Sequence, residues 1–259
     1  MTMSLSVGLG GIAGWKILQR TEARQLERIA NDPVVQRDTT YFRDKISGGI
    51  SAADIVNDYR MLSVALGAFG LEDDIANKAF IRKVLESDLS DEKSLVNRLS
   101  DKRYLRLAQA FQLGNPDTDK TALGASISDA YLQREYERRV GESDESLRLA
   151  LNARRELQQF SGRDSSSKTL WFEVLGNPPL REVFEGAFGF GDSYGKLSID
   201  RQLEEFTKGS ERYLGSSEFA DITNEISIDK IISNYLARSQ ISSGTVQNRY
   251  SSALALLTT

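Results

Sequence analysis

The chain has no cysteine and no histidine. The first absence removes disulfides, thiolate nucleophiles and cysteine-held metals. It fits a cytosolic protein, and equally one exported without oxidative folding. The second removes the side chain most used as a general base and as a transition-metal ligand. A metal site would have to be built from oxygen ligands alone. No apolar stretch is long enough to cross a bilayer. No window alternates apolar and polar residues as a half-buried strand does. Basic residues are not in excess either: 33 Lys and Arg against 37 Asp and Glu give a formal net charge of −4. That balance argues against a nucleic-acid surface, which needs concentrated positive charge. The expectation is therefore no cofactor, no metal, no nucleic acid and no membrane insertion.

What is present is helical periodicity over most of the 259 residues, enough chain for one large domain or two small ones. Ser51 is placed to cap a helix with Ile55, Tyr59, Leu62, Leu66 and Phe69 on one face, and Gly70 to close it in a left-handed conformation. Asp32-Pro33 starts another helix, Asp101 a third, and Asn177-Pro178-Pro179 a fourth. The predicted fold is all-α, with about a dozen short helices in a compact bundle. The expected divisions are a leader and helix over 1–31, a first helical unit over 32–160, a second over 161–240, and a C-terminal amphipathic helix over 241–259. Ser161–Lys168 is the most linker-like internal stretch. Residues 1–20 read as a mobile leader running into a helix. No basic residue precedes Lys16, and Gly8, Gly10, Gly11 and Gly14 break the apolar run that a secretory signal needs.

Three words resemble one another: Ala65–Asp74, Ala108–Asp117 and Glu185–Tyr194 all carry Ala-Phe beside a glycine. Each places a small residue where a neighbouring helix can approach, a Phe to fill the gap and a Gly to reverse the chain. Aligning Arg98–Gly114 with Val174–Gly191 raises two degenerate helical units, roughly Tyr41–Gly114 and Tyr136–Gly191. Helix ends also converge on such words without duplication. Phe69, Phe111 and Phe188 are expected to be buried.

Two stretches imitate binding loops and fail at required positions. Gly189–Ser198 lacks the first P-loop glycine, because Phe190 stands there, and Leu197 replaces the Ser or Thr that must follow the lysine. Asp117, Asp119 and Thr121 begin like a calcium loop. Ala122 and Ser128 then occupy the positions that need Gly and a bidentate Glu. Asp88, Asp91 and Glu92 sit where helix capping alone would put them. No carboxylate pair stands out among the acids, so no catalytic residue is assigned.

From Asp32 to Gly114 the words "DPVVQRDTTYFRDKI", "DYRMLSVALGAFGL", "KAFIRKVLESDLSDEKSLVNRLSDKRY" and "LAQAFQLG" resemble the domain of unknown function 1217 family. Its members are often encoded among flagellar genes of alphaproteobacteria. The resemblance brings no catalytic residues with it, and implies a protein of the flagellum or its assembly. The layout is similar to that of flagellar axial proteins, which leave the cell without a cleaved signal, commonly lack cysteine and pair helices at both chain ends.

The functional expectation is a non-enzymatic structural or assembly protein acting by helix-mediated association with protein partners. Trp15 and Leu18 in the first helix, and Val246, Tyr250, Leu254 and Leu257 in the last, form the candidate interaction face. The same helices would join two copies into a homo-oligomer. A cytoplasmic adaptor or export chaperone for flagellar components is the alternative. An enzyme of unknown class is the second alternative, disfavoured by the missing His and Cys.

Overall fold

The computed structural model describes residues 10–113, 118–191 and 193–257, the stretch 242–257 as backbone alone. The described residues are 77% helical, with 14 helices and no strand. The helices are α1 Gly11–Ala30, α2 Pro33–Ser47, α3 Ala52–Asn57, α4 Tyr59–Phe69, α5 Lys78–Leu85, α6 Leu95–Arg98 and α7 Lys102–Phe111. They continue as α8 Lys120–Gly141, α9 Glu145–Phe160, α10 Ser167–Leu175, α11 Pro178–Phe188, α12 Ile199–Leu214, α13 Phe219–Ile222 and α14 Glu225–Leu257. The all-α reading holds.

The chain forms two compact units. The first is Thr21–Arg139; the second comprises the described parts of Ser4–Arg20 and Val140–Thr259. The divisions fall inside α1 and α8, not at Ser161–Lys168 as the composition implied. That stretch is a tight turn within the second unit. Arg163 grips Glu173 with two hydrogen bonds of 2.8 Å, and Ser166 caps α10 by accepting from the Thr169 N–H at 3.2 Å. The last helix is also longer than expected. The backbone of α14 runs unbroken from Glu225 to Leu257, because a lone glycine, Gly244, costs a helix only about 1 kcal/mol.

In the first unit, local chemistry sets the helix ends. Asp32 caps α2 through the Val34 N–H at 3.0 Å, with Pro33 in the first turn. Ser51 and Asp54 form a reciprocal capping box on α3. Asp58 accepts from the Arg60 and Met61 N–H groups at the start of α4. Helix α4 packs between α2, α3 and α7, and its Leu62, Val64, Ala65 and Leu66 join Ile55, Ile81 and Val84 in an aliphatic core. Arg139 lies buried against Asp32 at 3.0 Å and Glu135 at 2.8 Å.

The second unit repeats the arrangement with different filling. Asn177 caps α11 as Asp58 caps α4, and both helices run for 11 residues to a glycine. Helix α11 packs against α9, α10, α12 and α14. Here the core is aromatic. Trp171 meets Phe184 at 5.3 Å and Phe219 at 4.9 Å, and Phe206 stacks on it at 5.9 Å.

The correspondence between the units lies in "GAFG", and it differs from the alignment the sequence invited. Gly67-Ala68-Phe69-Gly70 ends α4, and Gly186-Ala187-Phe188-Gly189 ends α11. Gly70 and Gly189 both adopt positive φ, 68° and 73°, which is open to glycine at little cost. A Cβ on Gly67 would lie 2.8 Å from the Tyr131 ring, and one on Gly186 2.6 Å from the Tyr235 ring. Three residues on, Arg134 lies beside Gly70 and Arg238 beside Gly189. The partner words are Tyr131-Leu-Gln-Arg134 on α8 and Tyr235-Leu-Ala-Arg238 on α14. Each long helix lays a tyrosine on the first glycine and a guanidinium beside the second. Arg134 donates to the Phe69 carbonyl at 3.3 Å, capping the end of α4. Phe111 and Phe188 are buried as expected, while Phe69 is half-buried against the first core. Phe111 belongs to a different device: Gln112, not glycine, follows it at φ 40°.

Candidate functional site

Trp15 and Leu18, expected on a docking face, are fully buried in the second unit. The Trp15 indole N–H donates to Asp229 Oδ1 at 3.0 Å, and the Arg154 guanidinium lies 5.3 Å over its ring. Lys16 and Gln19 also donate to the Asp229 carboxylate. Burial pushes that carboxyl up, and these three donors outweigh it, so its pKa is lowered. As placed here, the apolar stripe of α1 is core rather than free surface; the sequence pattern marks apolar positions but not what covers them. Val246, Tyr250, Leu254 and Leu257 lie outside the residues whose side chains are described.

The loops that imitated binding motifs have structural roles. Asp119 accepts from the N–H groups of Thr121 and Ala122 at 2.9 and 3.1 Å, the signature of a cap on α8. Asp117 lies outside the described residues. In the Gly189–Ser198 loop, Tyr194 is buried, stacks on Phe190 at 4.7 Å and donates to the Gln202 carbonyl at 2.8 Å. No group of three or more acidic side chains able to hold a metal occurs among the described residues. No described helix is long and apolar enough to cross a membrane.

A cleft of about 1030 Å³ opens in the first unit, between the start of α3, the end of α5 and the end of α7. Each wall has a local cause. At the first, the Ser51 box fixes the N-terminus of α3: Asp54 accepts from the Ser51 N–H at 3.0 Å and hydroxyl at 2.6 Å. At the second, amphipathic α5 buries Ile81, Val84 and Leu85, then the chain turns through Glu86–Ser90. Asp88 pins that turn by accepting from the Ser90 N–H at 2.8 Å and hydroxyl at 2.7 Å. Asn97 holds it from behind through the carbonyls of Leu89 and Asp91. The third wall is the end of α7, where Gln112 keeps a left-handed backbone, φ 40° and ψ 49°, without being glycine. A side chain there costs about 1–2 kcal/mol relative to an ordinary helical geometry.

Ile50, Leu85, Leu89, Ala108 and Leu113 give the cleft apolar lining, while Asp54, Glu86 and Asp88 supply carboxylates. No Lys or Arg occurs among the described residues that line it. The bonds from Ser51 hold the Asp54 carboxyl below its ordinary value, and those from Ser90 do the same for Asp88. Both are anions at neutral pH. Glu86 pairs with Arg82 at 2.8 Å one turn back along α5. A second hollow on the same unit shares Gly49, Ile50 and Asp54 and reaches Tyr59, which is 68% exposed.

The second unit has a smaller cleft at the place that corresponds by element order, between α10 and α12, of about 440 Å³. Ser217 and Glu218 form one wall of it. The Trp171 indole donates to the Ser217 carbonyl at 2.9 Å, Ser167 donates to the Glu218 carboxylate, and the Phe219 N–H donates to the Ser167 hydroxyl at 3.2 Å, which tie that wall to α10. Sequence reasoning missed the cleft because its walls come from three separate helix ends. The Ser51–Asp54 capping box and the acids at 86 and 88 were readable singly, but not their convergence.

The crystal structure of protein AGR_C_984 from Agrobacterium tumefaciens is similar, with TM-score 0.75 and 25% identity over 93% of this chain and 97% of that chain. A comparison with curated proteins gave no match. The family model described as protein of unknown function (DUF1217) matches residues 68–227, from the end of α4 to the start of α14, including all of the second "GAFG" word and the last three residues of the first. By that match, over more than half its length, the chain belongs to the DUF1217 family.

Proposed function

We propose that this protein is a non-enzymatic association module that docks protein partners in the open cleft of its first unit. The observation that carries the reading is the cleft itself: apolar lining, fixed walls, and a volume in the range of binding pockets, about 300–1,000 Å³ and slightly beyond. Large exposed concavities with apolar floors and polar rims are where soluble proteins meet partners. The resemblance to a family often encoded among flagellar genes supports an association in the assembly of the bacterial flagellum. Within that setting the cleft favours the second reading, a cytoplasmic adaptor or export chaperone, over a purely structural part joined by terminal helices. A groove that receives a segment suits transient carriage, and the α1 stripe that would have joined subunits is occupied within the chain.

The test is cell fractionation combined with a photo-crosslinking amino acid at Ser87 on the cleft wall. An adduct with a flagellar component in the soluble fraction supports the adaptor reading. An adduct confined to purified basal bodies or hooks supports the structural one. No adduct at Ser87 in flagellated cells, with the protein present at normal level, contradicts both.

A further inference from the structure

We infer that the occupant of the cleft is a cationic amphipathic helix of a partner protein. This rests on the association reading above and names the chemistry of the partner. The first ground is charge. Asp54 and Asp88 are held ionised by hydrogen bonds from Ser51 and Ser90, Glu86 stands between them in sequence, and no Lys or Arg occurs among the described residues lining the cleft, Lys45 lining instead the neighbouring hollow that Asp54 also borders. Among the described residues, Glu86 of the three pairs with a cation, Arg82, and that pair is exposed on both sides. Such a pair contributes little and yields readily to a better-placed cation. An anionic partner would meet uncompensated repulsion, and a neutral one would leave the rim charges without partners.

The second ground is shape. The apolar lining is of small and branched side chains, Ala108 with Ile50, Leu85, Leu89 and Leu113. A small residue in the floor admits the ridge of a helix, and the leucines flank its apolar stripe. The third ground is the contrast with the second unit. There Ser217 and Glu218 wall the smaller cleft, and the segment packs on α10, with Phe219 buried against Trp171 and the backbone bonded to Ser167 and Trp171. A segment of chain bringing an apolar side chain is thus a packing this architecture accepts. The first unit has the lining for such a segment and does not supply one from its described residues.

The experiment uses the full chain and two synthetic peptides of about 18 residues, roughly 27 Å as helices. Both carry the same leucine stripe; one has lysines on its polar face, the other glutamates. Calorimetry is run at low and high salt, on the wild type, on Glu86→Lys and on Asp164→Lys, a matched charge change at an exposed turn outside the cleft. Thermal melts check that each variant folds. The expected result is binding of the lysine peptide alone, at one site, weakening with salt. Glu86→Lys should weaken it about tenfold while Asp164→Lys leaves it within about twofold. Equal binding of the glutamate peptide, equal losses from both substitutions, or no binding of either peptide would each overturn the inference. If a Ser87 adduct still forms in cells in that case, the association reading stands and only the cationic partner falls.

Discussion

The two units use one scaffold and fill it differently. In the first, α4 sits in an aliphatic core of Leu62, Leu66, Ile55 and Ile81, and its ring contacts are few: Phe42 with Phe111, and Phe80 with Tyr104. In the second, α11 sits among rings that touch in a continuous network from Phe160 through Trp171, Phe184 and Phe206 to Tyr194. Large rings fill space, and the cleft beside Trp171 in the second unit is the smaller, about 440 Å³. Smaller side chains leave the first unit's cleft open. The difference teaches that one frame can be filled in two ways: rings knit the core of one unit, while aliphatic side chains in the other leave the larger concavity.

The sharpest way to break this comparison is to remove the ring at the centre of the second unit. Trp171→Ala should cost about 3–5 kcal/mol, read as a lowered urea midpoint. A loss under about 1 kcal/mol would show that the aromatic network is not what holds that unit. Next in size is the buried ion pair of the first. Asp32→Ala leaves Arg139 with Glu135 alone and uncaps α2, for a loss of about 3 kcal/mol.

The acid limb follows from the same carboxylate. Burial raises the Asp32 pKa, while the Val34 N–H and Arg139 lower it more, so the net shift is downward. A carboxyl depressed in the folded state stabilises above its unfolded value, about 3.9, and that stability is lost as pH falls through the folded value. Asp229 in the second unit is depressed as well. Melting temperatures should therefore fall below about pH 4. Asp32→Asn and Asp229→Asn should each flatten part of that fall, which urea melts monitored from pH 2 to pH 6 would detect.

The paired glycines test the duplication itself. Gly186→Ala and Gly67→Ala each drive a methyl into a tyrosine ring, and overpacking of this kind costs about 1–3 kcal/mol. Gly186 should be the costlier site, because its tyrosine is buried, 5% exposed, and closer at 2.6 Å, while Tyr131 is half-buried. Equal and negligible costs at both would mean the matched words are coincidence. The smallest effect is expected at Gln112. Glycine there relieves the left-handed backbone but loosens the unfolded chain, for a net gain of up to about 1 kcal/mol.

Much of this fold could be read directly. Ser51, Asp101 and Asn177 cap where the pattern put them, and Gly70 closes α4 in the left-handed form. These signals are local, so sequence carries them whole. The single helix expected between Ser51 and Phe69 is two, because Asp58 leaves helical geometry to cap α4, and Tyr59 is exposed rather than on the apolar face. The duplication was half legible. Both "GAFG" words were visible, but they were paired through Arg98–Gly114, because the diagnostic partners, Tyr131-Leu-Gln-Arg134 and Tyr235-Leu-Ala-Arg238, stand 64 and 49 residues away along the chain from the first glycine of each word. The stripe of α1 was correctly apolar and assigned to the wrong side of the surface. Periodicity tells that Trp15 and Leu18 need cover, while only the fold tells that Asp229 and its neighbours supply it. The cleft was not legible, since concavity arises where three helix ends fail to fill a space, and no single segment records that failure.

The proposal puts docking in the larger cleft of the first unit and not in the smaller cleft of the second. Methyl-labelled protein titrated with the lysine-faced peptide tests it directly by NMR. The account predicts shifts concentrated at Ile50, Leu85 and Leu89, with the Leu203 methyls and Trp171 indole of the second unit unmoved. Shifts that appear first or equally at Leu203 and Trp171 would contradict it.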